Sequence, residues 1–271
     1  MIEPKTFNYL QSVITYHRYG KGTNTLVAFH GYNQTGAEFA YFEDVLGEYF
    51  TIIAIDFFEH GGSKWNETFD FTDKHMKEIL EGIALQENIL NKRFSVCSYS
   101  MGARLARALV RNFPHKIDYF ILLSPPTKIF NRFLSFTVNN PVGLSLFQYF
   151  VKHPQALQNW VKRLHQLKIL NRSIYVFTSK FVGRKNRIEK VYKTWFAQRK
   201  LKTNLRSFSN LLNLHNITTI LIVGKSDNIT PSRSALTFMK KIKNKRIFIL
   251  PKKHELATPE TRQVFSQLFN K

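Results

Sequence analysis

Six short, almost continuously apolar runs constrain most strongly what this chain of 271 residues can fold into. The runs cover residues 25–30, 50–58, 94–98, 119–123, 217–223 and 246–250. Stretches with helical periodicity lie between several of them, as at 74–91 and 102–112. Strands that are apolar on both sides suit a parallel sheet covered by helices on both faces. The pattern therefore predicts an α/β fold with a mostly parallel central sheet, preceded by one or two strands within 7–19.

Residues 127–216 interrupt this alternation with mostly helical periodicity and a strongly basic composition. Seventeen Lys and Arg residues in this segment face a single acidic residue, Glu189. The whole chain has 40 Lys and Arg against 18 Asp and Glu, a formal charge of +22, so most of the excess lies here. We expect a core formed by residues 1–126 and 217–271, with 127–216 inserted as a basic helical cap.

Residues 94–104 combine an apolar strand, a tight turn around Ser100 and the start of a helix. This is the context of a nucleophile elbow, which strains a serine and lifts its hydroxyl clear of the sheet. The usual pattern is Gly-x-Ser-x-Gly, and Ser98 stands here in place of the first glycine. In the helix that follows, Arg104, Arg107 and Arg111 lie on the face opposite the apolar residues.

A serine hydroxyl needs a base, and the base needs a group that orients it. Asp227 and His254 each follow a predicted strand, so both would lie with Ser100 at one edge of a parallel sheet. An oxyanion hole needs two backbone N–H groups, and those of Met101 and Tyr32 are the best placed. The residues thus predict nucleophilic acyl chemistry.

Taken together, these blocks resemble the α/β-hydrolase family of the lid-bearing, single-domain kind. The matching segments are 29–32, 55–63, 98–102, 224–227 and 253–254. The resemblance implies a triad of Ser100, His254 and Asp227, an oxyanion hole at Tyr32 and Met101, no cofactor, and a lid formed by 127–216.

Three positions depart from the family pattern, which usually has glycine where this chain has Glu59, Ser98 and Lys253. These departures remove no catalytic group and bear on the geometry of the turns. Ser100 at the elbow disfavours the family members that use an aspartate nucleophile, such as haloalkane dehalogenases and epoxide hydrolases.

The leading functional hypothesis is a serine hydrolase that cleaves a carboxylic ester or thioester through an acyl-enzyme. A second hypothesis is a lyase in which the same three residues catalyse the elimination of pyruvate. It rests on the elbow with Arg104, which also resembles the elbow of the menaquinone-pathway lyase of this fold. A third is a non-catalytic binding protein that uses the basic cap. Covalent labelling of Ser100 discriminates the third hypothesis from the first.

The basic cap has three interpretations, which are a solvated surface, a site for an anionic acyl substrate, and contact with an anionic membrane surface. Its aromatic residues suit an acyl pocket or an interfacial lid. Nothing in the chain matches a nucleic-acid-binding module, so we expect no nucleic-acid partner. The sequence indicates no oligomeric state.

The remaining candidate residues have structural roles in our interpretation. We expect His30, His60 and Asp56 to support loops and Cys97 to pack in the core. No His-Glu-x-x-His pair is present, so no metal site is predicted. The chain also has neither a signal-peptide pattern nor an apolar stretch of about 18 residues, so we expect a cytoplasmic location.

Overall fold

The computed structural model describes residues 3–89, 93–126, 128–170, 172–181, 185–201 and 203–269. Its strands are β1 (Lys5–Tyr9), β2 (Ser12–Tyr19), β3 (Asn24–Phe29), β4 (Phe50–Ile55), β5 (Phe94–Tyr99), β6 (Ile117–Leu123), β7 (Thr218–Gly224) and β8 (Lys245–Leu250). They form one sheet in the order β1-β2-β4-β3-β5-β6-β7-β8.

The sheet is antiparallel at one edge and parallel over the rest. β1 pairs antiparallel with β2, and β2 pairs antiparallel with β4. The pairs from β4 through β3 and β5 to β8 are all parallel. Because β3 lies between β4 and β5, the strand order reverses there, and crevices beyond such reversal points are where ligands bind in open α/β sheets. The predicted fold class is confirmed.

The helices are α1 (Glu43–Leu46), α2 (Asp73–Gln86), α3 (Ala103–Asn112), α4 (Lys128–Asn139), α5 (Pro141–Lys152), α6 (Pro154–Gln166), α7 (Arg172–Phe181), α8 (Lys185–Ala197), α9 (Leu205–Leu214), α10 (Ser232–Met239) and α11 (Pro259–Phe269). No helix in these described ranges is both long enough and apolar enough to cross a membrane.

Helices α4–α9 occupy the connection between β6 and β7, where the sequence predicts a helical insertion over 127–216. We call α4–α9 the inserted helices. Thr127, Arg184 and Lys202 of this segment lie outside the described residues. That the insertion is a separate cap stays a prediction.

Alternate residues along the parallel strands β3 to β7 pack into different apolar clusters on the two faces of the sheet. Val27 and Phe29 of β3 join a cluster with α2 and α3. Leu26 and Ala28 join a second cluster with α1 and α11, which also contains the fully buried Cys97. Within the described residues a third cluster gathers apolar side chains of the inserted helices. The sheet is therefore covered on both faces, and Cys97 is a core residue as expected.

The turn after β5 lies directly against the end of β3. A Cβ atom built on Gly102 would stand 2.4 Å from the carbonyl oxygen of Phe29 and 2.8 Å from that of His30. Both neighbours are backbone atoms, which cannot move aside without shifting the strand. Only glycine therefore lets the turn carrying Ser100 approach the loop after β3.

His30 ties the loop after β3 to the loop after β4. Its Nε2 accepts a hydrogen bond of 2.9 Å from the Phe57 N–H, so the proton of the neutral ring sits on Nδ1 and is donated to the Gly31 carbonyl at 2.7 Å. Burial lowers the pKa of His30. The buried Asp56 carboxylate anchors the same region by accepting from the Gly36 N–H.

His60 makes the reciprocal connection between the two loops. Its Nε2 accepts from the Asn33 N–H at 3.1 Å, and its Nδ1 donates to the Phe58 carbonyl at 3.0 Å. Burial, with the neighbouring His30, lowers the pKa of His60 to about 3. The ring is therefore neutral at pH 7, and its role in this structure is to hold the loops, as expected.

Replacing Gly102 with alanine tests the close approach between the turn and β3. The added Cβ would collide with the Phe29 carbonyl, so we expect Gly102→Ala to lower the free energy of unfolding by roughly 1–3 kcal/mol. Urea denaturation of both proteins measures the difference. An unchanged midpoint and slope would show that the turn does not pack against β3 as described.

Replacing His60 with glutamine tests whether the buried ring stays neutral in the folded protein. Its pKa is about 3 in the folded state and 6.5 when unperturbed, so between these values only the unfolded chain binds the proton. Stability must therefore fall as the pH falls below about 6.5. Between pH 7.5 and pH 5, protonation of His60 in the unfolded chain should lower the free energy of unfolding of wild type by about 2 kcal/mol more than that of His60→Gln. Denaturation curves at both pH values measure the free energy of unfolding. An equal loss in wild type and in His60→Gln would contradict the prediction.

Candidate active site

The strand-turn-helix at residues 94–112 holds Ser100 in an uncommon backbone conformation. β5 ends at Tyr99, a single 3-10 turn covers Ser100–Gly102, and α3 begins at Ala103. Ser100 has φ of +48°, in the left-handed region that costs a non-glycine residue roughly 1–2 kcal/mol. Such strain persists only where the surrounding structure imposes it and is concentrated at functional sites. This is the conformation expected of an elbow.

Asp227 lies in the loop after β7, and its side chain is fully buried. Its Oδ1 accepts hydrogen bonds of 2.8 Å from the backbone N–H groups of Ile229 and Thr230. Burial acts to raise the pKa of this carboxyl, but the hydrogen bonds from His254 and Thr230 outweigh it and hold the pKa below its usual range. The group is therefore a carboxylate at neutral pH.

His254 follows β8 and lies between Asp227 and Ser100. Its Nδ1 is 2.7 Å from Asp227 Oδ2, and its Nε2 is 3.0 Å from Ser100 Oγ. Because a carboxylate can only accept, the proton of the neutral ring sits on Nδ1, and the lone pair of Nε2 faces the serine hydroxyl. The Tyr99 hydroxyl donates to the His254 carbonyl at 2.8 Å and so fixes the main chain. The structure thus joins the three predicted side chains in one hydrogen-bonded series.

Thr230 also belongs to this arrangement, although our sequence analysis did not identify it. Its Oγ1 lies 2.7 Å from Asp227 Oδ2, 3.1 Å from His254 Nδ1 and 3.1 Å from the Ser124 carbonyl oxygen. The hydroxyl therefore connects the ends of β6, β7 and β8. The available signal was its position three residues after Asp227, since an aspartate in a turn commonly accepts hydrogen bonds from the backbone N–H groups that follow it.

A cavity of about 300 Å³ opens beside the serine hydroxyl. Tyr32 and Met101, the predicted oxyanion-hole residues, line this cavity together with Ser100 and His254. The Tyr32 ring also packs against Phe177 of α7, with ring centroids 5.8 Å apart. Four of the five predicted site residues therefore line one cavity, and the fifth, Asp227, is buried behind His254.

The inserted helices supply one wall of the cavity, through Leu134, Phe177 and Trp195. The sequence indicates only that the aromatic residues of the segment suit an acyl pocket or an interfacial lid, and it does not place individual side chains such as Phe177 and Trp195. Their positions depend on how the inserted helices pack over the sheet, for which the sequence carries no local signal. In the described parts of the chain, no group of three or more His, Cys, Asp and Glu side chains is arranged to hold a metal.

The three departures from the expected glycine pattern are accommodated in different ways. Glu59 adopts φ of +68° and keeps its side chain exposed. Ser98 is fully buried, and its hydroxyl donates to the Ile121 carbonyl at 3.4 Å. Lys253 has a negative φ, and the close approach falls instead on Gly224, where a Cβ would stand 2.0 Å from the Lys253 carbonyl oxygen.

The arginine face of α3 is buried rather than turned to solvent. Arg104 and Arg107 are only 7% and 6% exposed. The Arg104 Nη2 donates to the carbonyl oxygens of Gln198 and Leu201, at 3.0 and 3.1 Å, in the segment after α8. Arg104 also lines the cavity beside Ser100. Periodicity separates the two faces of the helix correctly but does not reveal that the insertion covers the second.

Solved structures of several hydrolases resemble this chain over almost their whole length. An esterase from Thermogutta terrifontis is 15% identical with a TM-score of 0.66, covering 98% of this chain and 96% of that one. The thioesterase domain of the curacin biosynthetic pathway is 15% identical with a TM-score of 0.64, covering 100% of both chains. A meta-cleavage product hydrolase from Pseudomonas fluorescens IP01 is 15% identical with a TM-score of 0.61, covering 98% and 96%.

At these identities the structural likenesses establish the fold, and the sequence comparison establishes the family. No curated protein matches the chain significantly by sequence. The family model described as alpha/beta hydrolase fold matches residues 24–258, which is most of the chain and includes β3, the turn of Ser100, Asp227 and His254. The chain therefore belongs to the alpha/beta hydrolase fold family.

Proposed function

We propose that this protein is a serine hydrolase that cleaves a carboxylic ester or thioester through an acyl-enzyme. The observation that carries the proposal is the spacing of 3.0 Å between Ser100 Oγ and His254 Nε2, together with 2.7 Å between His254 Nδ1 and Asp227. A serine becomes nucleophilic when a base within hydrogen-bond reach takes its proton, and the base works when a third group orients it.

In the first half-reaction Ser100 Oγ attacks the substrate carbonyl carbon while His254 Nε2 takes the hydroxyl proton. The backbone N–H groups of Tyr32 and Met101 hold the oxyanion that forms. His254 then gives its proton to the departing alcohol or thiol as the carbonyl re-forms, which leaves the acyl group on Ser100.

In the second half-reaction a water molecule replaces the alcohol or thiol. His254 takes a proton from the water, the hydroxide adds to the acyl carbon, and Ser100 leaves with the proton that His254 returns. Asp227 stays ionised throughout, since its hydrogen bonds hold its pKa below the ordinary value. It orients His254 and stabilises the imidazolium in both half-reactions.

The inserted helices act as the lid in this proposal and shape the acyl site. A second cavity of about 70 Å³ lies among them and is lined mainly by Phe, Leu, Val, Ile and Trp side chains. Trp195, which is 4% exposed, lines both this cavity and the one beside Ser100. We infer that short acyl groups fill the first cavity and that Trp195 limits access to the second.

The lyase hypothesis has less support than hydrolysis. It rests on Arg104, and the guanidinium of that residue already donates two hydrogen bonds to main-chain carbonyl groups of the insertion. A group that braces the lid in this way is less available to a dicarboxylate substrate. The non-catalytic hypothesis does not explain the strained backbone of Ser100 or the hydrogen bond between Ser100 and His254.

Covalent labelling with a fluorophosphonate probe tests the nucleophile. We expect wild type to gain one adduct by intact mass and Ser100→Ala to gain none, because only an activated serine attacks the phosphorus. Ser95→Ala is the matched control, since Ser95 is a buried serine of the same strand, and it should label like wild type. Absence of labelling in folded wild type would overturn the proposed function.

Replacing Trp195 with alanine tests the acyl site. Removing the indole should join the two cavities, so we expect the ratio of kcat/KM for an octanoyl ester to that for an acetyl ester to rise by about tenfold. Tyr149→Ala, an exposed aromatic residue on α5 that lines neither cavity, is the control and should leave the ratio unchanged. An unchanged ratio in Trp195→Ala would show that the inner cavity does not receive the acyl chain.

A further inference from the structure

Helix α3 buries two arginines that have no acidic partner. Arg104 and Arg107 are 7% and 6% exposed, and the Nε atoms of both are buried without a hydrogen-bond acceptor. Arg111, one turn further along, differs because it pairs with Asp73. The two buried guanidinium groups are therefore a distinct feature of this helix.

Arg107 is the less satisfied of the two. Arg104 donates to two main-chain carbonyl groups, whereas Arg107 has no hydrogen bond or ion pair within the part of the chain that the structure describes. The positions outside that part contain no Asp or Glu, so they cannot supply a side-chain carboxylate either. The charge of Arg107 is thus buried without a counter-ion from a side chain.

Such an arrangement is costly unless something compensates it. Moving a cation out of water carries a penalty that a partner charge must offset, and buried charges in proteins are almost always paired. Burial, with the neighbouring Arg104 and Arg111, lowers the pKa of Arg107 to about 9, which still leaves the group protonated at neutral pH. An anion is therefore the kind of ligand that would compensate this charge.

A cleft of about 730 Å³ gives an anion access to Arg107. Its cationic lining residues are Arg104, Arg107, Arg132, Arg206 and Lys241. Its polar lining residues are Ser135, Thr203, Asn204, Ser234 and Thr237, and no acidic residue of the described chain lines it. We call this space the arginine cleft.

The arginine cleft is distinct from the cavity beside Ser100. Of the described lining residues, only Arg104 is common to the two. The N-terminus of α9 also lies at the cleft, since Asn204, Leu205 and Arg206 line it, and the positive end of the helix dipole adds to the positive potential. A ligand of the cleft therefore need not enter the catalytic cavity.

We propose that the arginine cleft is a binding site for a diphosphate group, with Arg107 at its buried end. A guanidinium binds phosphate oxygens through its N–H groups, and no hydrogen bond within the described chain occupies the terminal nitrogens of Arg107 at the cleft. Five cationic side chains without an acid call for more than one negative charge, which a single carboxylate does not provide. The volume exceeds that of one phosphate, so the site has room for two linked ones.

Thermal unfolding and isothermal titration with sodium diphosphate test this site at constant ionic strength. We expect saturable binding and a rise in Tm, because a ligand that binds only the folded state stabilises it. Sodium chloride at matched ionic strength should give neither effect, and sodium citrate and orthophosphate should bind at least tenfold more weakly than diphosphate. An equal response to all these anions would mean general charge screening and would overturn the proposal.

Arg107→Met tests the buried end of the cleft. Since it removes an uncompensated buried charge, its Tm without ligand should equal or exceed that of wild type, and diphosphate should no longer raise it. Arg206→Gln, which changes an exposed residue of the cleft, provides a second test that does not depend on repacking the core. It should weaken diphosphate binding roughly tenfold.

Arg163→Gln is the matched control, because Arg163 is an exposed arginine of the inserted helices outside the cleft. It should bind diphosphate like wild type. Retention of full affinity in both Arg107→Met and Arg206→Gln would place the site elsewhere and refute the proposal. Ser100→Ala should bind diphosphate like wild type. Diphosphate binding and the labelling of Ser100 are therefore independent tests of the cleft and of the proposed function.

ADP in place of inorganic diphosphate distinguishes two sources of the same chemistry. Equal affinity would show that the cleft recognises the diphosphate group alone. Tighter binding of ADP would show that the cleft also holds the nucleoside end. Failure of both to bind would exclude the site.

Discussion

Parallel pairing from β5 to β8 is the constraint on which the candidate site depends. Parallel strands end at the same edge of a sheet, so the loops after β5, β7 and β8 are brought together whatever their separation in the chain. Ser100 and His254 are 154 positions apart and yet lie within 3.0 Å. β6, which lies between these strands, contributes the Ser124 carbonyl that holds Thr230 against Asp227 and His254. Register along the sheet thus sets the distances in the site.

The turn at Ser100 and the two loops opposite it are held by buried contacts that leave little freedom. Gly102 lets the turn touch the end of β3, and the neutral rings of His30 and His60 link the loops after β3 and β4 through backbone hydrogen bonds. The glycine departures at Glu59 and Lys253 fall where the side chains point to solvent. The chain therefore keeps the geometry with fewer glycines than the family usually has.

Charge and apolar packing divide the inserted helices into two parts with different chemistry. Their aromatic side chains face one another and the cavity beside Ser100, with Trp195 between two apolar spaces. Arg132 and Arg206 lie instead at the arginine cleft on the other side of Arg104. Helix α3 joins both, because it starts at the serine turn and carries Arg104 and Arg107 in its next turns. Binding at either place would act on the same helix.

The sequence by itself determined the strands to within about three residues, the helical insertion, and the order of Ser100, Asp227 and His254, because periodicity and turn chemistry are local properties. It also indicated Tyr32 and Met101 through their places after strands. Only the tertiary structure decided that Thr230 contacts both Asp227 and His254, that Trp195 lines the cavity beside Ser100 and that Arg107 is buried. These facts depend on which distant segments pack together. The identity of an apolar or charged residue does not indicate which segment will pack over it.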